Sequence, residues 1–326
     1  MNVAIVNNAL QFRDPNGAGA ITVRFQRTLR IPDDGRTYPL PPSHGEFPLR
    51  SVRDYAHRVP AEWARRGGVI LPMYQREAMW LAFEGSPHAL KVGIGKVCAI
   101  SGERWVEGLR GYPQDYVVVG EQPWLDGIAT GTGTIRQFVA MPLGMGYTVE
   151  GQLTGEERFG GLQLQSYAPK PGRIPVRDYD ECTEAVCSMD FDCAASGAMG
   201  LAAGGTMEQK IYPDPYGLDT WDLAAHTRVF VHIVNSDMWR DITGEAPPPT
   251  PVSARTYSEA GLPWFGLYDE AHKTIAPTAK LAGVKSVKQI DATKSTKPLQ
   301  DDRPVQVKHV KQLWKQGARI IDDGEW

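Results

Sequence analysis

Closely spaced acids are the residues of this sequence whose types and spacing first suggest chemistry. Six candidates lie in the segments MDFDC and DPYGLDTWDLAAH: Asp190, Asp192, Asp214, Asp219, Asp222 and His226. Alternate carboxylates in a loop are able to bind Ca²⁺ or to act as general acid and base in a hydrolase. The Ca²⁺-loop pattern, with glycine at its sixth position and glutamate at its twelfth, is absent from both segments. We therefore interpret the acids as a solvated surface, with a hydrolase site as the alternative.

Three of the four cysteines also lie close together. Cys182, Cys187 and Cys193 have the spacing C-x4-C-x5-C, whereas Cys98 stands alone. Zinc sites combine a tight pair of cysteines with a second pair or with histidines downstream, and that second half is missing here. Four cysteines are also too few for a disulfide scaffold in a chain of this length. The sequence therefore predicts no bound metal.

Glycine-rich segments do not predict a nucleotide or any other cofactor. In GIATGTGTIRQF, Arg136 occupies the last glycine position of the dinucleotide fingerprint, and a strand pattern follows where a helix is required. In VGIGKVC, Lys96 follows Gly95 without the spacer and the hydroxyl residue of a phosphate-binding loop. This segment indicates a turn or a bulge. His232 lies in an apolar segment and is interpreted as a core histidine.

Tryptophans beside turns form a second group of candidates. The candidates are five, of which several stand beside glycine or proline, as in QPWLDG and GLPWFGLYD: Trp105, Trp124, Trp221, Trp239 and Trp264. An indole ring is able to stack on the flat face of a sugar, and it equally closes the open end of a β core. We interpret these residues as caps of the core. A carbohydrate-active enzyme or a lectin-like binding module, with these rings as its platform, is the alternative.

The elements that must position these residues are mostly strands. Ile21, Val23 and Phe25 alternate with polar residues, which is the period-two pattern of a half-buried strand. Further short β patterns, separated by glycine-rich turns, continue to about residue 170. The segment 228–234 is apolar on both faces and predicts a central strand.

Two helices are expected among these strands. Residues 60–66 have proline at the start and two glycines after the end, the usual asymmetry of helix boundaries. The segment 73–83, MYQREAMWLAF, is apolar on most faces and predicts a buried helix that encloses Trp80. Together these patterns predict a β-dominated α+β fold, with a β-sandwich or barrel-like core and a few short helices.

Composition divides the chain into four regions. We predict a β core over 1–170 and an acidic, cysteine-bearing insertion over 171–226, because residues 178–193 hold six acids and no base. The remaining core strand and a proline-rich, aromatic segment follow over 227–272. A basic extension with a short amphipathic helix occupies 273–326.

The basic extension is the clearest anomaly of charge. Residues 273–319 carry a formal charge of +8, which leaves −11 on the rest of the chain. Pro304 and Gly317 delimit the predicted helix, whose candidate interaction residues form an apolar stripe beside a basic one. These residues are Val307, Lys308, Val310, Lys311, Trp314 and Lys315.

Opposite charge favours docking of this extension on an acidic surface of its own chain or of a neighbouring copy. The sequence therefore predicts a non-catalytic structural or self-assembling protein, a homo-oligomer whose partners are its own copies. A small-molecule or sugar ligand stays open, and the enzyme is the alternative.

Overall composition excludes several classes of protein. The chain has 326 residues, of which 42% are hydrophobic and 22% charged, as in ordinary globular proteins. Its net charge of −3 predicts no nucleic-acid partner, and no apolar run approaches the length of a membrane span. The first residues lack the basic and apolar regions of a secretory signal. We expect a cytoplasmic protein, with export by a route that needs no such signal left open.

Four segments carry a resemblance to known sequences: FQRTLRIPDDGRTYPLPPS, LPMYQREAMWLAF, IRQFVAMPLGMGYTVEGQLTGEERFGGLQL and GLPWFGLYDE. Together they resemble a family of uncharacterised bacterial proteins over most of residues 20–270, and the basic extension would be a variable part. The resemblance implies a bacterial origin. It implies no activity, so no site residue follows from it.

Overall fold

The computed structural model describes residues 2–13, 19–174, 197–267, 273–297 and 299–313. Within these ranges the chain forms mainly antiparallel strands and only short helices, which confirms the β-dominated α+β fold. The strands are β1 Asn2–Val6, β2 Ala9–Arg13, β3 Ala20–Thr28, β4 Thr37–Tyr38, β5 Ser43–Glu46, β6 Arg50–Ser51, β7 Val69–Pro72, β8 Ala78–Gly85, β9 His88–Ile94, β10 Val97–Cys98, β11 Val117–Val119, β12 Trp124–Leu125, β13 Gly127–Gly131, β14 Thr134–Pro142, β15 Leu162–Pro169, β16 Ala198–Glu208, β17 Trp221–Val234, β18 Trp264–Leu267 and β19 Val310–Leu313. The α-helices are α1 Ala61–Arg66, α2 Val149–Thr154, α3 Ser236–Thr243, α4 Ala254–Glu259, α5 Ala279–Ala282 and α6 Val287–Thr293. Short 3₁₀ helices lie at Val52–Tyr55, Leu218–Thr220 and Gln300–Asp302.

Two layers of one sheet face each other across a shared hydrophobic core. In the first layer β2, β3, β8, β14 and β16 pair in that order, and in the second β7, β17, β15 and β9 do so. The start of β16 pairs with the end of β17 and joins the layers. Phe25 and Phe138 of the first layer share one buried cluster with Val92 and Leu164 of the second. Half-buried and buried side chains alternate over residues 20–25 of β3, which follows the period of a strand.

The expected helix over 73–83 is wrong, whereas the helix over 60–66 is confirmed as α1. Residues 78–85 form β8, in which Met79, Leu81 and Phe83 face the core while Trp80 is only half-buried. A short run that is apolar on both faces fits a buried helix and a central strand equally well. Pairing of β8 with β3 and β14 decides between the two.

The prediction of an insertion over 171–226 is also wrong in part, because this segment contains a core strand. Residues 198–208 form β16, which pairs with β14 along its length. Small residues permit this fit: a Cβ at Gly204 would lie 2.6 Å from the Val139 side chain of the neighbouring strand. The small-residue segment is therefore part of the sheet, not an attachment to it.

Residues 273–313, as far as they are described, pack on the same chain. Leu281 of α5 and Val287 of α6 are fully buried. The charged contacts agree only in part with the expectation from net charge. Lys280 of the extension pairs with Glu103 of the body at 2.6 Å, but two acids of the extension meet arginines of the body. Asp291 accepts two hydrogen bonds from Arg76, at 2.8 and 2.9 Å. Asp302 accepts one from Arg30 at 2.5 Å.

The amphipathic helix predicted within 304–317 is wrong for its described residues. Val310–Leu313 form β19, which pairs in parallel with β18, and the residues before it lie extended. Consequently Val307 is half-buried, whereas Val310 is 46% exposed. Lys308 and Lys311 are exposed. Main-chain pairing with the aromatic segment at Trp264 holds this part of the chain, which a helical pattern does not reveal.

No helix of the described ranges is long and apolar enough to cross a membrane.

Candidate functional site

The predicted hydrolase residues that the structure describes, Asp214, Asp219, Asp222 and His226, do not converge on one cleft. Asp214 accepts hydrogen bonds from the Tyr116 hydroxyl at 2.5 Å and from the Trp221 indole nitrogen at 2.8 Å. Burial and this carboxylate together raise the pKa of Tyr116. Because both donors are core side chains, Asp214 serves to hold the aromatic cluster in place.

The next acids along the chain have equally local roles. Asp219 is exposed and forms ion pairs with Lys170 at 3.0 Å and Arg173 at 2.6 Å. Asp222 accepts from the backbone nitrogen of Ala224 and so closes a turn. His226 lies on β17, with its ring 5.4 Å from that of Tyr167. None of these residues lines a cavity described below.

Several predicted residues lie outside the described ranges: Asp190, Asp192, Cys182, Cys187, Cys193, Trp314 and Lys315. Cys98 is described as a buried free thiol, and burial raises its pKa. Within the described ranges no three metal-ligating side chains cluster. The absence of a metal therefore stays a prediction, since it concerns the three cysteines above all.

The tryptophans divide into two groups. Trp221, Trp239 and Trp264 are fully buried, as expected for caps of the core. Trp105 and Trp124 are half-buried, and each lines a cavity. The two half-buried rings therefore mark the places where a ligand has access.

The first cavity, termed the basic pocket, has a volume of about 270 Å³. It lies between the end of α1, the β9–β10 turn, β15 and β17. Four cationic side chains line it: Arg66, Lys96, Arg104 and Arg228. Arg66 pairs with Glu62 at 2.6 Å, and Arg228 pairs with Glu107 at 3.0 Å. Lys96 and Arg104 form no ion pair with an acid of the described ranges.

Two phenylalanines position the cations of the basic pocket. The Lys96 ammonium lies 4.0 Å from the centre of the Phe159 ring, and the Arg66 guanidinium lies 4.5 Å from it. Phe230 has Arg228 at 5.2 Å and Arg66 at 5.6 Å. The face of an aromatic ring attracts a cation electrostatically at these distances. The rings therefore fix where the positive charge stands.

A buried carboxylate fixes the turn that carries Lys96. Gly95 and Lys96 form a two-residue turn between β9 and β10, which shows that the turn alternative was right and the bulge wrong. Glu150 of α2 accepts from the backbone nitrogens of Lys96 at 2.9 Å and Gly160 at 3.0 Å. A Cβ at Gly95 would lie 2.2 Å from the Glu150 carboxyl carbon, and φ at Gly95 is +52°. Only glycine fits there.

Alternate residues of β17 provide the opposite wall. Arg228, Phe230 and His232 share one face of the strand because side chains alternate across a sheet. The His232 ring stacks on Trp63 at 4.4 Å, and its Nε2 donates to the Gly67 carbonyl at 3.0 Å. Burial lowers the pKa of His232 to about 4. The interpretation as a satisfied core histidine is confirmed, and at neutral pH it adds no charge to the pocket.

The indole of Trp105 forms a third wall. It packs over Gly93, where a Cβ would lie 2.6 Å from the ring. The Trp105 backbone nitrogen donates to the Lys96 carbonyl at 2.8 Å, which ties the residue to the turn. The ring also lies 5.1 Å from the buried ammonium of Lys91. These contacts fix the position of this wall.

Sequence reasoning missed the basic pocket as a constellation. The sequence around Lys96 lacks the motif of a phosphate-binding loop and therefore gives no signal of a pocket. The four cations come from α1, the β9–β10 turn, the loop after it and β17, so no local spacing connects them. The alternation of Arg228, Phe230 and His232 along a predicted strand was the one signal available.

A second cavity, termed the aromatic cleft, has a volume of about 200 Å³. Its lining is Leu40, Pro41, Pro42, Ser43, Trp80, Trp124, Asp126 and Phe265. Asp126 is 4% exposed, and its Oδ2 accepts from the Gln209 side chain at 2.9 Å. Burial raises its pKa to about 7, although a hydrogen bond from Trp124 opposes this rise. The cleft thus combines apolar walls with one carboxyl group.

Comparisons with known proteins give no further guide to either cavity. No protein-family model, no curated protein sequence and no solved structure matches the chain. The resemblance to uncharacterised bacterial proteins therefore stays a prediction, and the function has to be argued from the two cavities themselves.

Proposed function

We propose that this protein binds a small organic anion, best a phosphate ester, in the basic pocket. The observation that carries the proposal is the convergence of four cations on one cavity in a chain whose net charge is negative. Two of the four, Lys96 and Arg104, form no ion pair within the described residues, although Lys96 interacts electrostatically with the buried Glu150 carboxylate. An excess of positive charge lining one cavity attracts anions.

The residue types favour a phosphate over a single carboxylate. Arginine offers a planar fork of donors that matches the oxygens of phosphate, and lysine adds a point charge. A phosphomonoester brings two negative charges and three acceptor oxygens, enough for several cations at once. The volume of about 270 Å³ lies at the lower end of ligand cavities, which favours a small ester.

The lining favours binding without catalysis. His232 donates its Nε2 proton to Gly67 and is stacked against Trp63, so it is held away from proton transfer. Glu150 is occupied by backbone nitrogens of the two turns. The groups that face the cavity are therefore cations and rings, which hold an anion and exclude water from it.

Calorimetric titration of the full-length chain with ribose 5-phosphate tests the proposal, with ribose as its matched neutral compound. We expect heat of binding for the ester and none for the sugar. Lys96→Met and Arg104→Met should each weaken binding about tenfold or more, because a hydrogen bond to a charged group contributes about 1.5–3 kcal/mol. Lys170→Met, which removes an exposed cation paired with Asp219, is the control and should leave the affinity unchanged.

Two outcomes would contradict the proposal. Ribose binding as tightly as its phosphate would show that the cations are not used. Equal weakening by Lys170→Met and Lys96→Met would show that only the overall charge of the protein matters.

Self-assembly through the basic extension, predicted from the sequence, is independent of this pocket and stays a prediction. Light scattering of the full-length chain across salt concentrations tests it. A single molecular mass corresponding to one chain at all concentrations would contradict it.

A further inference from the structure

The aromatic cleft brings three rings and one carboxyl group to a single face of the sheet. Trp124 of β12 pairs with Ala82 of β8 in antiparallel register. Trp80 lies two residues from Ala82, and Asp126 lies two residues from Trp124, so these side chains point to the same face. Phe265 of β18 closes the cleft from the side.

Asp126 has no cation to balance its charge. It forms no ion pair within the described residues, and its hydrogen bonds come from the neutral side chains of Gln209 and Trp124. The Gln209 carbonyl in turn accepts from the Asp126 backbone nitrogen at 3.0 Å, which locks the carboxyl group in place. Transfer of an unpaired carboxylate into an apolar site is costly. A cation that binds beside this buried acid would offset that cost.

The walls of the cleft select the kind of cation. Aromatic faces attract a positive charge without hydrogen bonds, and tryptophan does so best. A primary ammonium needs three acceptors, whereas the cleft offers Asp126 and little else. The Ser43 hydroxyl already donates to Gln26 and accepts from Gly45. A quaternary ammonium has no hydrogen to donate, and its methyl groups match the apolar lining.

We propose that the aromatic cleft binds a small quaternary ammonium compound, with Asp126 as its counter-ion and Trp80, Trp124 and Phe265 as its cage. Leu40, Pro41 and Pro42 complete the apolar wall around its methyl groups. This site is separate from the basic pocket: the two share no lining residue and have opposite charge.

Titration of the full-length chain with choline, followed by tryptophan fluorescence and calorimetry, tests this site. The matched neutral compound is 3,3-dimethylbutan-1-ol, in which carbon replaces the quaternary nitrogen. Choline should bind at least about tenfold more tightly than the alcohol, since only the charge differs. Asp126→Asn should weaken choline binding about tenfold or more, while Asp219→Asn, at an exposed carboxylate, leaves it unchanged.

Trp124→Leu provides a second variant, and near-ultraviolet circular dichroism confirms that each variant is folded. Loss of choline binding in a folded Trp124→Leu chain supports the cage. The proposal is overturned if the alcohol binds as tightly as choline, or if Asp126→Asn retains full affinity. Binding of methyl glucoside without binding of choline would also overturn it and would indicate a sugar site.

Discussion

The junction between the basic extension and the body differs from the two cavities in how its charged side chains are paired. At the junction Asp291 receives a two-point hydrogen bond from Arg76 and a third bond, at 2.7 Å, from the Tyr147 hydroxyl. In the basic pocket Lys96 and Arg104 have no such partner among the described residues, and in the aromatic cleft Asp126 has none. Paired charge holds the fold together, whereas unpaired charge is where a ligand is able to gain affinity.

The difference also appears in the pKa values of the titratable groups at each place. Although burial opposes ionisation of Asp291, hydrogen bonds from Arg76 and Tyr147 lower its pKa. Burial instead raises the pKa of Asp126, which has no cation beside it, to about 7, and burial lowers the pKa of His232 to about 4. The surroundings of Asp126 and His232 therefore favour the neutral form of each group, whereas those of Asp291 favour its charged form. Removing the charge should consequently destabilise the fold at Asp291 and stabilise it at Asp126.

The largest effect is expected at the junction. Asp291→Ala should lower the free energy of unfolding by about 3–5 kcal/mol, because it leaves Arg76 and Tyr147 without their shared acceptor. Urea denaturation at pH 7 measures the change. Asp301→Ala, which removes an exposed acid of the same extension, is the control and should cost less than about 0.5 kcal/mol. Similar losses for both variants would show that the junction is not held by the pair.

Asp126→Asn should have the opposite sign. The folded pKa of about 7 lies above the ordinary value of 3.8, so the acid stabilises the fold fully below pH 4, and that contribution is lost as the pH rises through 7. The difference corresponds to about 4 kcal/mol. Asparagine carries no charge, so the variant should be more stable than the parent at pH 8 by up to this amount, and the gain should vanish near pH 4. A variant less stable than the parent at pH 8 would contradict a carboxyl without a cation.

How much of this architecture the sequence predicts depends on how local each signal is. The strand at Ile21–Phe25 and the helix α1 follow from residues that stand next to one another. The segment around Trp80 was assigned to a helix because its own residues are apolar on both faces. Only pairing with β3 and β14, which are distant in sequence, makes it a strand.

The two cavities show the same limit. Trp124 and Asp126 stand together in QPWLDG, so half of the aromatic cleft is visible in the sequence. Trp80 and Phe265 reach it only through β8 and β18. The basic pocket forms where the paired strands β9, β15 and β17 bring α1 and two loops together, and no spacing along the chain predicts it. Of the acids visible as a motif, Asp219 is exposed and paired with two cations, Asp214 holds Tyr116 and Trp221, and Asp222 accepts from its own strand's backbone.

A smaller effect on stability is expected from His232, the titratable ring of the basic pocket. Its folded pKa of about 4 lies below the ordinary 6.5, so its contribution is present above pH 6.5 and is lost as the pH falls from 6.5 to 4. The loss corresponds to about 3 kcal/mol. His232→Phe keeps the stacking on Trp63 and should remove this part of the pH dependence. His57→Phe, at an exposed position, should retain the slope of the parent, and a slope that survives in His232→Phe would contradict the assignment.

The smallest effect on stability is expected for substitutions of the cations in the basic pocket. These substitutions should weaken ligand binding without changing the free energy of unfolding. Lys96→Met and Arg104→Met remove exposed side chains that form no ion pair within the described residues, so each should change the free energy of unfolding by less than about 0.5 kcal/mol. In Lys96→Met the methionine is able to keep contact with Phe159, which preserves the turn fixed by Glu150. Denaturation at low and high salt measures this, beside the titration with ribose 5-phosphate. If either variant unfolds more easily by several kcal/mol, these cations support the fold, and the distinction between paired and unpaired charge fails in the pocket where it matters most.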